Sequence, residues 1–275
     1  MEKTNEIYGK FLDEYVSEQA VRKYTTQTAG YGINYLLHND YAKIYLETVK
    51  TYLSGPNARP LRLLEFGCGG GMNITRLVSL LDEKQVAIEY AYGTDFSPRL
   101  VEAAKEESQT YLSPELAKKV DFFVARNEQL EKDLLAGLGG KRDLLSSFDL
   151  IIGVNTFRYC HRLGKTAECA QDIYRLLKPG GICINIDMND RFPAFRSRWR
   201  RQTETTEECY LPSLSEYVSP FEAAGFEIVK KGNFCWVPHS AGRGLTTACR
   251  VAGPLLNLVA RGRAMRSLVI ARKAK

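Results

Sequence analysis

Leu63-Leu64-Glu65-Phe66-Gly67-Cys68-Gly69-Gly70-Gly71-Met72-Asn73 is the stretch on which the reading of this chain turns. A short apolar run ends in an acidic residue. Glycines follow at the alternate positions 67, 69 and 71, and a helical pattern then covers residues 72–81. The spacing predicts a buried strand, a tight turn and a helix. Glycine reaches the positive φ such a turn needs and lets a ligand approach the backbone closely. The helix behind it presents unsatisfied N–H groups. A dinucleotide site would read G-x-G-x-x-G, with pyrophosphate on those N–H groups. Here the order is E-x-G-x-G-x-G, and the carboxylate ahead of the first glycine would repel pyrophosphate. It suits a cationic or amine-bearing ligand. A glycine turn without a ligand would use the same residue types, so the neighbouring segments decide between the two.

Residues 86–94 read as a second strand, ending in Gly93-Thr94-Asp95-Phe96-Ser97-Pro98. An acid at the end of the second strand is where an α/β nucleotide site holds ribose hydroxyls, because a carboxylate accepts two hydrogen bonds. Asp95 follows Gly67 by 28 residues, the span of one βαβ unit. Ser97-Pro98 then opens a helix, since proline is tolerated in the first turn; a plain N-cap role for Asp95 or Ser97 is the alternative. Ser147-Phe148-Asp149-Leu150-Ile151-Ile152-Gly153-Val154-Asn155 reads as a fourth strand, and Leu176-Leu177-Lys178-Pro179-Gly180-Gly181 as a helix end and turn before a fifth.

In this order the pieces resemble the class I S-adenosylmethionine (SAM) dependent methyltransferases, over residues 60–232, and within them the small-molecule branch that includes the ubiquinone/menaquinone-biosynthesis type. The resemblance implies an α/β Rossmann-like fold, a seven-stranded sheet of order 3-2-1-4-5-7-6 with strand 7 antiparallel, helices on both faces and an N-terminal helical lid. It implies SAM as cofactor. Glu65 and the backbone of Gly67, Cys68, Gly69 and Gly71 would face its methionine end. Asp95 would take the ribose hydroxyls, with Phe96 against the adenine. After the third strand the family usually places an acid near the adenine amine; here the run is Val124-Ala125-Arg126-Asn127-Glu128, so Asn127 and Glu128 are the candidates. Asn155, ending the fourth strand, would lie by the methyl-transfer centre.

The alternation of elements itself means a parallel sheet covered on both faces. The core reads as strands 61–66, 86–94, 120–125, 148–154, 182–187 and 226–231 with helices 72–81, 98–109, 113–118, 127–138, 164–177 and 213–224, and a last strand at 265–272. Residues 1–58 form a helical extension or lid, and 59–275 the SAM-binding core, with insertions at 188–212 and 233–265. The extension is rich in tyrosine. Ile7, Phe11, Tyr15 and Val16 make one helical stripe, and Tyr41, Ile44, Tyr45, Thr48, Val49 and Tyr52 another. A polar, glycine-containing loop separates them at 25–33.

Methyl transfer from a sulfonium needs alignment and exclusion of water more than dedicated catalytic groups. A base helps where the acceptor is a hydroxyl. His161, shortly after the fourth strand, is the candidate base because histidine titrates near neutrality; an ordinary helix-start histidine is the plainer reading. Tyr24, Tyr31, His38, Trp236 and His239 are candidates to line an acceptor pocket, although aromatic stripes at helical spacing also serve as core. No metal is expected: the three histidines lack ligand spacing, and Asp187, Asn189 and Asp190 have no matching acid at Asn155.

The chain has 275 residues, of which 44% are hydrophobic, enough for one sizeable core. No run of about 18 apolar residues occurs, and Met1-Glu2-Lys3-Thr4-Asn5-Glu6 lacks the apolar stretch of a signal peptide. Seven scattered cysteines point to reduced thiols and a cytoplasmic protein. The net charge is +6, and no acidic residue follows Glu227. A second basic cluster, Arg191, Arg196, Arg198, Arg200 and Arg201, is interleaved with Phe192, Phe195 and Trp199. Such asymmetry suits nucleic acid or an anionic surface, or is a solvated face. No nucleic-acid-binding signature accompanies it. The leading expectation is therefore methyl transfer to a small-molecule acceptor, aromatic or lipid-like, with O-methylation favoured. An RNA or protein methyltransferase using the basic C-terminal third and a non-catalytic SAM-binding partner protein are the alternatives.

Overall fold

The computed structural model describes residues 30–55, 59–140, 144–193 and 211–274. Tyr24, the stripe Ile7, Phe11, Tyr15 and Val16, most of the polar loop before Gly32 and, of the second basic cluster, Arg196, Arg198, Arg200 and Arg201 lie outside them. The strands are β1 (Leu61–Phe66), β2 (Ile88–Asp95), β3 (Val120–Val124), β4 (Phe148–Val154), β5 (Leu177–Met188), β6 (Glu227–Phe234) and β7 (Arg266–Arg272). Among the described residues they form one sheet in the order β3-β2-β1-β4-β5-β7-β6. The pairs from β3 to β5 are parallel, and β7 runs antiparallel to both β5 and β6. The order and the reversed strand are those the resemblance implies.

The helices are α1 (Tyr31–His38), α2 (Asp40–Thr48), α3 (Met72–Glu83), α4 (Pro98–Tyr111), α5 (Pro114–Ala117), α6 (Leu130–Gly137), α7 (Phe157–Leu163), α8 (Thr166–Leu176), α9 (Leu214–Ala223) and α10 (Arg243–Ala260). Strand side chains alternate between faces, and the two faces build two cores. Leu63, Leu150, Ile152, Ile184, Leu268 and Ile270 meet Leu36, Tyr45, Ile74, Leu77 and Val101 on one side. Leu64, Phe66, Ile151, Cys183 and Val269 meet Leu134, Phe157, Ile173, Tyr217 and Phe221 on the other. Local chemistry sets the helix starts. The Ser97 hydroxyl accepts from Leu100 N–H with Pro98 in the first turn, and Ser213 with Glu216 forms a capping box.

Three elements differ from the sequence reading. Residues 157–163, expected as loop, form α7; it buries only Phe157 and Cys160, and Gly164 at φ 65° ends it. The fifth strand starts at Leu177, because the Pro-Gly-Gly stretch stays in the sheet as an irregularity opposite β4. The second insertion is largely one helix, α10. Of the expected stripe, Tyr41, Ile44, Tyr45 and Thr48 of α2 and Val49 just after it are buried, and Tyr52 is partly buried.

Candidate functional site

The carboxyl ends of β1, β2 and β4 lie side by side, and the glycine turn leaves β1 at that edge. Gly67, Gly69 and Gly71 all have positive φ, at 60°, 55° and 80°. A Cβ on Gly67 would fall 1.8 Å from the Thr156 hydroxyl oxygen, so that glycine is demanded by the loop after β4. Thr156 in turn accepts from the Asn127 side-chain amide at 2.7 Å, tying the turn after β3 to the same point. Cys68 N–H donates to Thr94 carbonyl oxygen at 2.8 Å. Burial pushes the Cys68 thiol well above its ordinary value, so Cys68 acts here as a small residue that fits.

Asp95 stands at the end of β2, fully enclosed. One carboxylate oxygen accepts Gly69 N–H at 3.0 Å and the other Ser97 N–H at 2.9 Å. Its pKa is pushed up to about 6 by burial, against the pull of those N–H groups. The Phe96 N–H also bonds this carboxylate, and of the about four lone-pair sites a carboxylate offers, one remains for a hydroxyl donor. Glu65 is also buried. Its Oε2 accepts the Ile74 N–H at 2.9 Å, capping α3 where the helix dipole favours negative charge. Its Oε1 has no hydrogen-bond partner, nor does the hydroxyl of Tyr45. Burial lifts the pKa of both, and their proximity raises the Tyr45 value further. Buried polar atoms without partners mark a place where a ligand or water completes the bonding. These orphans, the positive-φ turn and Asp95 fit a nucleoside carrying an amino-acid tail. Glu65 and the turn would hold the tail and Asp95 the ribose.

Asn155 closes β4 in the left-handed region, at φ 56°. Its Oδ1 accepts from Arg266 Nη1 at 3.0 Å. Arg266 opens β7 and is completely buried, and its Nε and Nη2 have no partner. It follows the side-chain parity of Leu268 and Ile270, toward α2. Tyr41 of α2 is buried there with an unpartnered hydroxyl, its ring edge-on to Phe234 at 6.3 Å. Asp187, at the end of β5, is buried but turned to Arg158, whose backbone N–H it accepts at 3.1 Å.

The other candidates scatter. His161 is wedged between the rings of Phe157 and Tyr217, at 5.6 and 5.7 Å, on the α7–α9 side of the sheet. Burial lowers its pKa, against the pull of Glu216. His38 is exposed beside Arg76 and Glu83 on the flank of α3, and Tyr31 is largely exposed at the start of α1. Trp236 sits by Phe192 at 6.4 Å and donates to Asn257. Residues 238–241, including His239, back onto Gly30 and Gly32. Glu128 lines an outer groove with Glu131, Glu168 and Arg175. Phe96 is half-buried next to Asp95. Asn189, weighed as a metal ligand, donates to the carbonyls of Gly262 and Ala264.

Arg266 and the pairing of Tyr41 with Phe234 escaped the sequence reading. A signal for the first exists: an arginine opens an otherwise apolar strand, Arg266-Ser267-Leu268-Val269-Ile270.

The sequence pattern of a methyltransferase domain matches residues 37–231, well over half of the chain. Among curated proteins, the non-reducing polyketide synthase sorB of Penicillium rubens is 29% identical over 156 residues, covering 54% of this chain and 5% of the synthase. The chain thus matches only a small part of that relative. Among solved structures, the CMeT domain of the citrinin polyketide synthase superposes with a TM-score of 0.57 at 17% identity, over 95% of this chain and 58% of that one. The geranyl diphosphate C-methyltransferase of Streptomyces coelicolor A3(2) superposes with a TM-score of 0.54 at 14% identity, over 86% and 79%. At such identities the superpositions establish the fold.

Proposed function

This chain belongs to the methyltransferase-domain family and is a SAM-dependent methyltransferase, and we propose that it methylates a small acceptor with an aromatic or polyketide-like body. The observation that carries this reading is the buried ring of Tyr41, edge-on to the half-buried Phe234, next to Arg266, which pairs with Phe234 across the sheet and donates to Asn155, at the side of the sheet away from Asp95. Aromatic side chains of that kind suit a flat apolar molecule. The kinship with part of a polyketide synthase supports the same class. Oxygen, the expectation from sequence, and carbon share one kind of acceptor: a phenol or enolisable dicarbonyl can take the methyl at either atom. Carbon is the favoured atom here, since the structural neighbours include a C-methyltransferase and a CMeT domain.

Bound at the glycine turn, SAM supplies a methyl on a cationic sulfur, which leaves as neutral S-adenosylhomocysteine. The chain's own part is placement. Glu65 and the α3 N-terminus hold the amino-acid end, Asp95 the ribose, and Asn155 faces the transfer point. Within the basic C-terminal third, Arg266 is buried and Lys273 donates to the carbonyls of Tyr174 and Leu177, whereas Lys230 and Lys231 pair with Glu47 and Glu222 at the surface and Arg243, Arg250, Arg261 and Arg263 are exposed.

The test is to incubate the protein with SAM and a panel of phenols and 1,3-dicarbonyl thioesters. S-adenosylhomocysteine is followed by mass spectrometry and the methyl is located by NMR. A C-methylated product is expected. Methylation of RNA or protein with none of the panel would overturn the acceptor class.

A further inference from the structure

We propose that Arg266 is the acceptor's anchor: a buried guanidinium fork that binds a planar, delocalised oxyanion, a carboxylate or an enolate. The inference rests on the acceptor lying by Tyr41, Phe234 and Asn155, as in the function proposed above, and adds the chemistry by which it is held.

Arginine carries its N–H groups in a fixed plane. Nη1 is committed to Asn155 Oδ1 at 3.0 Å. The two unpartnered nitrogens, Nε and Nη2, are the pair whose N–H bonds run parallel along one edge of the group. That edge is the one that grips a carboxylate through two hydrogen bonds. The group has no exposure to solvent, so water does not replace the missing partner at the surface. A buried charge whose N–H groups are left without hydrogen bonds is disfavoured, and a bound anion removes that penalty. Asp187 is close enough for its charge and that of Arg266 to attract, but no acid hydrogen-bonds the free edge. Asp187 accepts from the N–H groups of Arg158 and Met188 and lies 3.9 Å from Arg158 Nε, and Asp40 is engaged with Cys235. The Tyr41 hydroxyl, also buried without a partner, adds a second donor at the same place.

Position separates acceptor from cofactor. Arg266 is on β7, two strands beyond β4 and on the opposite side of it from β2, whereas Glu65 and Asp95 sit on β1 and β2. For an enolate, holding the oxygen leaves the conjugated carbon to attack. Its electron pair forms the new C–C bond as the S–CH3 bond breaks, the bonding pair stays on sulfur, and the acceptor's proton has already left to solvent.

The experiment first confirms that the wild-type protein binds S-adenosylhomocysteine by calorimetry; failure there falls on the methyltransferase reading. The binary complex is then titrated by ligand-observed NMR with benzoate against benzamide and with acetylacetone, across its ionisation, against cyclohexanone. At least one anion is expected to bind at least tenfold more tightly than its neutral counterpart, and which one identifies carboxylate or enolate as the source. Arg266→Met should abolish that preference and leave S-adenosylhomocysteine affinity unchanged. Arg266→Lys, which keeps the charge without the fork, should retain only part of it. The inference is overturned if the wild type shows no anion preference, a result that needs no variant to fold, or if Arg266→Met keeps the preference. It is also overturned if Arg266→Met loses S-adenosylhomocysteine binding while folded, which would assign the guanidinium to the cofactor's carboxylate.

Discussion

Asp95 meets two demands with one carboxylate. It fixes the glycine turn through Gly69 N–H, and it keeps a lone pair for a ribose. With its pKa raised to about 6 by burial, its charge changes within the working range of pH. If binding needs the carboxylate, one pH unit below 6 leaves about a tenth of it ionised. Calorimetry at pH 5 is then expected to give a SAM Kd roughly tenfold weaker than at pH 7, with the dependence flattened in Asp95→Asn. A Kd that ignores pH in the wild type would remove the ribose assignment. For stability the sign is opposite. The folded-state value lies above the unfolded one, so the folded chain takes up this proton first. The contribution is complete below the ordinary aspartate range and is lost as pH rises through about 6. Gly69 sits beside this group at φ 55°. A valine there would add backbone strain of roughly 1–3 kcal/mol. In Gly69→Val, equilibrium dialysis is expected to show SAM binding lost while far-UV circular dichroism stays native; normal affinity would contradict the turn's role.

Helices α1 and α2 divide the work that the sequence assigned to one lid. α2 is core: Tyr45 has no exposed surface, and it packs with Ile44 and Val49 onto the sheet. Tyr45→Ala is therefore expected to cost about 3–5 kcal/mol in urea unfolding, more than a mobile cover would. α1 is held mainly by Leu36 and Leu37, with Tyr31 exposed. We propose that α1 is the part that tightens over the cleft, as closing elements exclude water from such sites. Hydrogen exchange in residues 31–38 is expected to slow when S-adenosylhomocysteine binds, while residues 40–48 stay equally protected. No change in either helix would make the whole N-terminal pair fixed scaffold.

At the scale of the molecule, α10 is a long helix with few buried residues. It touches the rest chiefly through Thr246 and Gly253, which are buried, while Val251 and Leu258 are 79% and 82% exposed. Substituting both by lysine is expected to change the unfolding free energy by less than about 0.5 kcal/mol. Leu268→Ala, in the heart of β7, should cost about 2–5 kcal/mol. A large loss in the double lysine variant would mean that this apolar face is covered in the folded protein. Among the described residues, no helix is long and apolar enough to cross a membrane.

The glycine turn, the strand ending at Asp95, the helix opened by Ser97-Pro98 and the capping box at Ser213 are all legible in the chain itself. Their signals are local: a period of two or of 3.6, a side chain capping an amide three residues on, a φ that glycine alone reaches readily. The sheet order came through resemblance, since spacing constrains crossovers but not which strands become neighbours. The acceptor end was not legible. Arg266 bonds to a residue 111 positions away, and in sequence it is one more charge in a basic tail. Only the antiparallel return of β7 beside β5 turns it inward, under Tyr41, and burial is what leaves two of its nitrogens without partners. His161 went the opposite way: a histidine after the fourth strand looks like a base, but α7 winds it onto the far face between Phe157 and Tyr217. Local pattern determines which segments become strands, turns and helices. Which polar groups lose water, and what they then need as a partner, is decided by the neighbours that the tertiary fold supplies.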